Sequence, residues 1–133
     1  MKFPYKRYHI TFRRPVIPVV ICYGTRELQY EALVDSGADV SLFDWEIANA
    51  LGIKTTGGTP YEVLGVGGGI SVYYFHTVVL TVGEVSYKTK IGFTGNPTGQ
   101  TIPYGILGQR GFFDKFIVGF DLLQEEITLK LRK

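Results

Sequence analysis

The stretch Ala32–Asp39, Ala-Leu-Val-Asp-Ser-Gly-Ala-Asp, brings a carboxylate, a hydroxyl and a glycine together at one turn. An aliphatic run carries Asp35 to the end of a predicted strand, and Gly37 allows the backbone to turn sharply just after it. Two carboxylates that share one proton can activate a bound water, because like charges a few ångströms apart cannot both ionise. The sequence contains no second Asp-Ser-Gly and no Asp-Thr-Gly, so such a pair would need Asp35 from a second chain.

Two later segments could complete a site around Asp35. The glycine-rich segment Leu64–Ile70 forms a predicted tip between the strands Tyr61–Leu64 and Ser71–Val82. Further along, Ile106-Leu107-Gly108 ends a predicted strand, and Gln109–Lys115 is predicted to form one or two helical turns. Along the chain, the three segments therefore follow in the order of a catalytic-type turn, a glycine-rich tip and an aliphatic segment that could support the turn.

Strand signals dominate the segments that must position Asp35. Val16–Tyr23 and Leu28–Val34 are rich in aliphatic and β-branched residues, and Tyr23–Arg26 between them contains the turn residue Gly24. These features predict a hairpin whose second strand delivers Asp35 to its end.

The remainder of the chain is predicted to be mostly β with a short helix. Asp44 is placed to cap a helix from Trp45 to Leu51, which Gly52 would end. The other predicted segments are the strand Val85–Phe93, the polar loop Thr94–Pro103, and a terminal hairpin of the strands Phe116–Asp121 and Ile127–Leu131. Apolar and polar residues alternate in the last strand, which predicts that it is half-buried.

Length and composition bound the class of protein. A chain of 133 residues fits one domain over 1–133, in which residues 1–15 could be an N-terminal extension. The 45% hydrophobic content excludes a disordered chain, and 17 glycines beside many aromatic residues favour a turn-rich β protein. A formal net charge of +2 is too small to indicate nucleic acid binding. Because no apolar run approaches the ~20 residues of a membrane span, we expect a soluble cytoplasmic protein with no membrane partner.

Cysteine and histidine are too sparse to indicate a disulfide scaffold or a metal site. Cys22 is the single cysteine, and its apolar surroundings predict a small core residue. His9 and His76 are far apart, with no second ligand at metal spacing. The sequence therefore predicts no metal and no cofactor.

The three segments around Asp35, Leu64–Ile70 and Ile106–Gly108 resemble the retropepsin family, the retroviral-type aspartic proteases that act as homodimers. The resemblance covers about residues 16–131 and is greatest to cellular and microbial members. It implies a mostly β, retropepsin-like acid protease β-barrel with one or two short helices, assembled as a homodimer.

The resemblance also implies roles for the residues of the turn. Asp35 would be the catalytic carboxylate, and Ser36 would bond across the dimer interface. Gly37 would let the substrate backbone approach and accept a hydrogen bond through its carbonyl. Ala38 would line a side-chain pocket, and Asp39 would contact the substrate main chain.

The later segments take supporting and substrate-binding roles by the same resemblance. The predicted flap over the peptide consists of Val66, Gly67, Gly68 and Gly69, since glycines permit a tight and movable turn. Ile106, Leu107 and Gly108 would pack beneath the catalytic turn, with Ile106 also lining the cleft.

Two departures from the family concern the support of Asp39 and the ends of the chain. Many retroviral members carry Arg where this chain has Gln109, and that Arg partners the acid at the Asp39 position. Arg110 comes one residue later, so a hydrogen bond from Gln109 is the expected substitute for the ion pair. The chain is also longer at both ends than a minimal viral protease, so its dimer interface is expected to differ.

The predicted function is an aspartic endopeptidase that hydrolyses peptide bonds with a water activated by an Asp35–Asp35 pair, with a preference for hydrophobic residues beside the scissile bond. The alternative is a non-catalytic dimerisation or peptide-binding domain with the same fold. A calcium loop is disfavoured because Gly37 would have to supply a ligand and Val40 would have to be glycine. A dinucleotide loop at Gly65–Ile70 is excluded because a strand, not a helix, follows it.

Overall fold

The computed structural model describes residues 1–64, 69–95 and 103–133. In these ranges the chain is mostly β, as predicted, with twelve strands and one α-helix. The first strands are β1 (Lys2–Pro4), β2 (Lys6–His9), β3 (Phe12–Arg14), β4 (Val16–Tyr23), β5 (Arg26–Val34) and β6 (Leu42–Phe43). After α1 (Trp45–Ala50) and a 3₁₀ turn (Thr55–Gly57) come β7 (Thr59–Leu64), β8 (Ile70–Val82), β9 (Val85–Thr94), β10 (Gly105–Leu107), β11 (Phe116–Asp121) and β12 (Glu126–Leu131).

Six strands close into a barrel in the order β4-β5-β10-β6-β9-β8, because β4 also pairs with β8. Strand β7 pairs with the first half of β8, from Thr59 opposite Phe75 to Leu64 opposite Ile70. Alternate side chains of these strands are withdrawn from solvent and form one core. Its largest fully buried members are Phe43, Phe93, Phe112, Phe116, Ile17 and Ile21.

The predicted hairpin that delivers Asp35 is confirmed. β4 and β5 are antiparallel from Val16 opposite Leu33 to Tyr23 opposite Arg26, so β5 begins two residues earlier than predicted. Gly24 in the turn has φ +60°, a conformation that glycine adopts without steric cost. The Val34 amide donates to the Pro15 carbonyl at 2.8 Å, which holds the chain beside Asp35 at the end of the barrel.

The predicted helix is present as α1, and Gly52 follows it with φ +73°. Asp44 occupies the N-cap position, but the acceptor for the Trp45 amide is the Thr94 hydroxyl at 2.8 Å. The helix packs through Ile47 and Ala48, both buried in the core. Among the described residues, none of the helices has the length and apolar character of a membrane-spanning segment.

A second sheet of three strands, in the order β1-β12-β11, contains the chain ends. Its β11–β12 hairpin confirms the predicted terminal hairpin. β2 and β3 form a separate hairpin, and Arg7 and Arg13 from its two strands both form ion pairs with Glu125 in the β11–β12 turn. The first fourteen residues thus contain three strands, of which β1 belongs to the terminal sheet and the β2–β3 hairpin contacts its β11–β12 turn.

Three predictions about local structure need correction or lie outside the described residues. Gln109–Lys115 is a series of turns and not a helix, because the amides of Gln109 and Arg110 donate to carbonyls of the Asp35 loop. Cys22 is half-buried instead of in the core, and its thiol lies 3.8 Å from a Glu27 carboxylate oxygen. Most of the predicted loop Thr94–Pro103, namely residues 96–102, is outside the described residues.

Candidate active site

Asp35 is held by backbone hydrogen bonds on both sides of its loop. Its amide donates to the Leu107 carbonyl at 2.9 Å, which continues the parallel pairing of β5 with β10. Its Oδ1 accepts the Gly37 amide at 2.9 Å, and its carbonyl accepts the Ala38 amide at 3.2 Å. The side chain is half-buried, and among the described residues no other donor reaches the carboxylate. The second carboxylate oxygen is therefore available to a ligand.

A buried hydroxyl links the Asp35 loop to the segment after β10. Ser41 is fully buried, and its Oγ accepts the Gly108 amide at 3.0 Å while donating to the Arg110 carbonyl at 2.8 Å. The Ser41 carbonyl accepts the Gly92 amide at 3.0 Å, which adds β9 to the same support. Ser41 was not among the predicted site residues; its signal in the sequence is a single hydroxyl between the apolar residues Val40 and Leu42.

The two segments then run side by side as a short ladder. The Gln109 amide donates to the Ala38 carbonyl at 2.8 Å, and the Arg110 amide donates to the Asp39 carbonyl at 3.0 Å. A Cβ atom at Gly108 would collide with the Ala38 and Val40 carbonyl oxygens, so only glycine allows this approach. The ladder fixes the backbone of the residues that follow Asp35.

A tyrosine anchors the far end of the same segment. The Tyr87 hydroxyl of β9 donates to the Gly111 carbonyl at 2.7 Å, and Gly111 has φ +98°. Burial, and to a smaller extent the Asp114 carboxylate, raises the pKa of the Tyr87 phenol well above its ordinary value. The hydroxyl therefore stays protonated and able to donate throughout the neutral and moderately alkaline range.

Two adjoining hollows open beside the Asp35 loop. The first, of about 410 Å³, is lined by Gly37, Ala38, Asp39, Val40, Leu42, Tyr61 and Glu62. The second, of about 220 Å³, is lined by Val40, Thr59, Pro60, Tyr61, Phe75, Lys90 and Arg110. A larger hollow of about 540 Å³ lies between β4, β5 and the β8–β9 turn, away from this loop. The two smaller hollows, which share Val40 and Tyr61, are the concave surface at the site.

A family profile described as aspartyl protease matches residues 17–110, which include Asp35 and most of the elements that hold it. The chain belongs to the aspartyl protease family. Within that family it is retropepsin-like, as the sequence resemblance predicted. No curated protein matches the sequence significantly.

Solved structures of retropepsin-like proteases share the fold of this family member. EIAV protease in complex with the inhibitor HBY-793 is 25% identical, with a TM-score of 0.54 over 78% of this chain and 88% of that one. A retropepsin-like aspartic protease from Rickettsia conorii is 16% identical, with a TM-score of 0.66 over 96% and 97%. The retroviral protease-like domain of Ddi1 from Leishmania major is 16% identical, with a TM-score of 0.60 over 88% of each chain. The two likenesses at 16% identity concern the fold alone.

In this member of the aspartyl protease family, the predicted turn residues lie together at the end of the barrel. Ser36, Gly37 and Asp39 are exposed, and Ala38 is half-buried against the first hollow. The predicted support is beneath them: Leu107 and Gly108 are buried, and half-buried Ile106 pairs with Leu33 and Leu42 in the barrel. The lining of the first hollow does not include Ile106.

The predicted flap is only partly within the described residues. Val66, Gly67 and Gly68 lie outside them, whereas Gly69 is described and exposed at the start of β8. The paired strands β7 and β8 that lead to this segment carry Tyr61 and Glu62 to the first hollow. The described strands therefore place one wall of the hollow on the side of the predicted flap.

Gln109 supports the loop at a different point from the one expected. Its side-chain Nε2 donates to the Ser36 carbonyl at 2.5 Å, not to Asp39. Among the described residues, Asp39 forms no ion pair. The glutamine thus steadies the backbone next to the aspartate, while the Asp39 carboxylate remains open to the hollow.

Proposed function

We propose that the protein is an aspartic endopeptidase that hydrolyses peptide bonds with one Asp35 carboxylate from each of two copies. The observation that carries the proposal is the half-buried Asp35, whose Oδ1 accepts the Gly37 amide at 2.9 Å beside an open hollow. A rigid carboxylate with one oxygen available suits acid–base work on a bound water. Membership in the aspartyl protease family supports the same chemistry.

The second carboxylate comes from a second copy, because the chain contains the Asp-Ser-Gly turn once. A twofold axis beside Asp35 would bring the two loops together, with exposed Ser36 at their contact. The two carboxyl groups then share one proton, because both cannot ionise at such close range. The active species is therefore a homodimer.

Catalysis by this pair needs only a water molecule. The ionised carboxylate accepts a proton from the water as the water oxygen bonds to the scissile carbonyl carbon, and the protonated carboxyl gives its proton to the carbonyl oxygen. The tetrahedral diol then loses the amine: the C–N bond breaks as the nitrogen takes a proton from the carboxyl group, and one hydroxyl of the diol gives its proton to the other carboxylate as the new acid carbonyl forms. Both products leave, and the pair again holds one proton.

The substrate is an extended peptide or protein segment that lies as a strand between the catalytic loop and the β7–β8 strands. The Gly37 carbonyl and Asp39 would bind its main chain, and Ala38 and Ile106 would contact its side chains. Gly69 belongs to the proposed flap, with Val66, Gly67 and Gly68 outside the described residues. These apolar contacts favour hydrophobic residues beside the scissile bond.

The test is cleavage of a mixed peptide library by wild type and by Asp35→Asn, at acidic and neutral pH and over a range of protein concentrations. We expect turnover that rises with concentration as dimers form and is absent in the variant. Circular dichroism and sedimentation show whether the variant is folded and dimeric. A dimeric wild type without turnover would contradict the proposal and favour a non-catalytic dimerisation or peptide-binding domain.

A further inference from the structure

We infer that the peptide bound at this site carries charged side chains of both signs, a basic one above Asp39 and Glu62 and an acidic one above Lys90 and Arg110. The inference rests on the proposed function for the location of the peptide. It adds to that function a charge pattern that the substrate must match.

The two hollows beside the Asp35 loop have opposite charge. The first is bordered by the carboxylates of Asp39, from the catalytic loop, and Glu62, from β7. The second is bordered by Lys90, from β9, and Arg110, from the segment after β10. Since both hollows share Val40 and Tyr61, they form one continuous surface with a negative and a positive half.

These four charges are not neutralised within the described part of the chain. The ion pairs found there join Lys6 to Glu31, and both Arg7 and Arg13 to Glu125. Asp39, Glu62, Lys90 and Arg110 take part in none of them, and all four are exposed. The charged groups are thus available to a ligand, and each hollow repels a peptide side chain that carries the same charge as the hollow.

The arrangement suits the geometry of an extended peptide. Alternate side chains of a strand point to the same face, so neighbouring hollows on one surface receive residues two positions apart. A second copy related by a twofold axis repeats both hollows on the other side of the scissile bond. The expected substrate therefore has basic residues on either side of its hydrophobic centre and acidic residues further out.

The effect of each charge should be modest and dependent on salt. Exposed ion pairs contribute little individually, which corresponds to a preference of about two- to fivefold per charge. Several charges acting together should give a larger ratio of kcat/KM between the matched peptide and the peptide with reversed charges. Added salt should reduce the preference, because exposed charges are screened.

The experiment compares three peptides on one cleavable hydrophobic centre: the predicted charge pattern, its reverse, and glutamine at all charged positions. We expect kcat/KM of wild type to be at least about fivefold higher for the predicted pattern than for the reverse at low salt. Glu62→Lys and Arg110→Glu should each weaken or reverse the preference for the predicted pattern over its reverse. Glu84→Gln and Lys88→Gln, at exposed charges outside both hollows, are the matched controls.

Binding of the same peptides to Asp35→Asn, followed by fluorescence anisotropy, separates this inference from the proposed function. Charge-selective binding that Glu62→Lys alters supports the inference even if wild type cleaves nothing, an outcome that would contradict the peptidase. Cleavage of all three peptides with equal kcat/KM overturns the charge pattern and leaves the peptidase intact. Neither binding nor cleavage of any peptide overturns both.

Discussion

The Gly108 amide donates a hydrogen bond of 3.0 Å to the Ser41 hydroxyl, and both groups are buried. The same hydroxyl donates to the Arg110 carbonyl at 2.8 Å, so one serine satisfies a donor and an acceptor of the supporting segment. Ser41 lies six residues after Asp35, and Gly108 follows the residue whose carbonyl accepts the Asp35 amide. The position of the catalytic-type loop thus depends on a hydroxyl outside the Asp-Ser-Gly motif.

Replacing this hydroxyl should destabilise the protein. Ser41→Ala leaves the Gly108 amide and the Arg110 carbonyl without their shared partner, which should lower the free energy of unfolding by about 1–3 kcal/mol. Urea denaturation measures the change. Ser71→Ala, at an exposed serine of β8, is the control and should be nearly neutral. Equal effects of the two substitutions would show that the buried hydroxyl is not the support described here.

Adding one methyl group at Gly108 should disturb the loop through backbone contacts. In Gly108→Ala the new Cβ meets the Ala38 and Val40 carbonyl oxygens, which cannot move without shifting the residues after Asp35. We expect a loss of about 1–3 kcal/mol in the free energy of unfolding, together with a large loss of the proposed turnover. Gly57→Ala, where a Cβ meets no atom within 4 Å, should change neither. A Gly108→Ala protein with wild-type stability would contradict the contact.

The Gln109 side chain should matter more for activity than for stability. Gln109→Ala removes the hydrogen bond to the Ser36 carbonyl, which is exposed and contributes at most about 1.5 kcal/mol to folding. The same loss frees the backbone next to Asp35, so we expect kcat to fall while the thermal midpoint changes little. Gln124→Ala, in the exposed β11–β12 turn, is the control. An unchanged kcat in Gln109→Ala would mean that the Gln109 side chain does not position the backbone next to Asp35.

The raised pKa of Tyr87 predicts a pH-dependent difference from Tyr87→Phe. At neutral pH the variant should be less stable by about 0.5–1.5 kcal/mol, because the hydrogen bond to the Gly111 carbonyl is lost. Above the ordinary tyrosine pKa of 10.0, the phenol ionises in the unfolded chain but not in the folded one, so wild-type stability falls as pH rises. The difference in the free energy of unfolding between wild type and Tyr87→Phe, called the stability gap, should therefore become smaller between pH 10 and 12.

Urea denaturation of both proteins at pH 7 and at pH values above 10 measures this gap. Tyr23→Phe, at an exposed tyrosine of β4, is the control for loss of a phenol and should be nearly neutral at pH 7. A gap between wild type and Tyr87→Phe that does not narrow would mean that the Tyr87 phenol is not buried as described.

Features that depend on neighbouring residues were predictable from the sequence. The β4–β5 hairpin follows from two aliphatic runs around Gly24, and its length determines that Asp35 ends the second strand. The terminal hairpin follows from the alternation of Ile127 and Leu129 with polar residues. Periodicity and turn residues act over a few positions, so they can be recognised without knowing what the strands pack against.

Features that depend on distant partners were predicted wrongly or missed. The Gln109–Lys115 segment has helical composition, yet the Gln109 and Arg110 amides bond to carbonyls some 70 positions earlier in the sequence. Cys22 has apolar neighbours, but in β4 its side chain takes the face opposite to buried Ile21. Tertiary contacts thus outweigh the local preference of the Gln109–Lys115 segment, whereas the partial exposure of Cys22 follows from the alternation of faces along β4.

The pattern of residues was enough to predict the fold class and the family and to single out Asp35 as the proposed catalytic carboxylate, because an Asp-Ser-Gly turn after a strand is a local signal with a specific chemistry. The groups that hold Asp35 and the surface around it became known from the three-dimensional contacts. Ser41 and Gly108 are far apart in the chain and meet beside the pairing of β6 with β10, and Asp39 and Glu62 border one hollow although they come from different elements. Such contacts depend on strand pairing between remote segments, which no local pattern of residue types specifies.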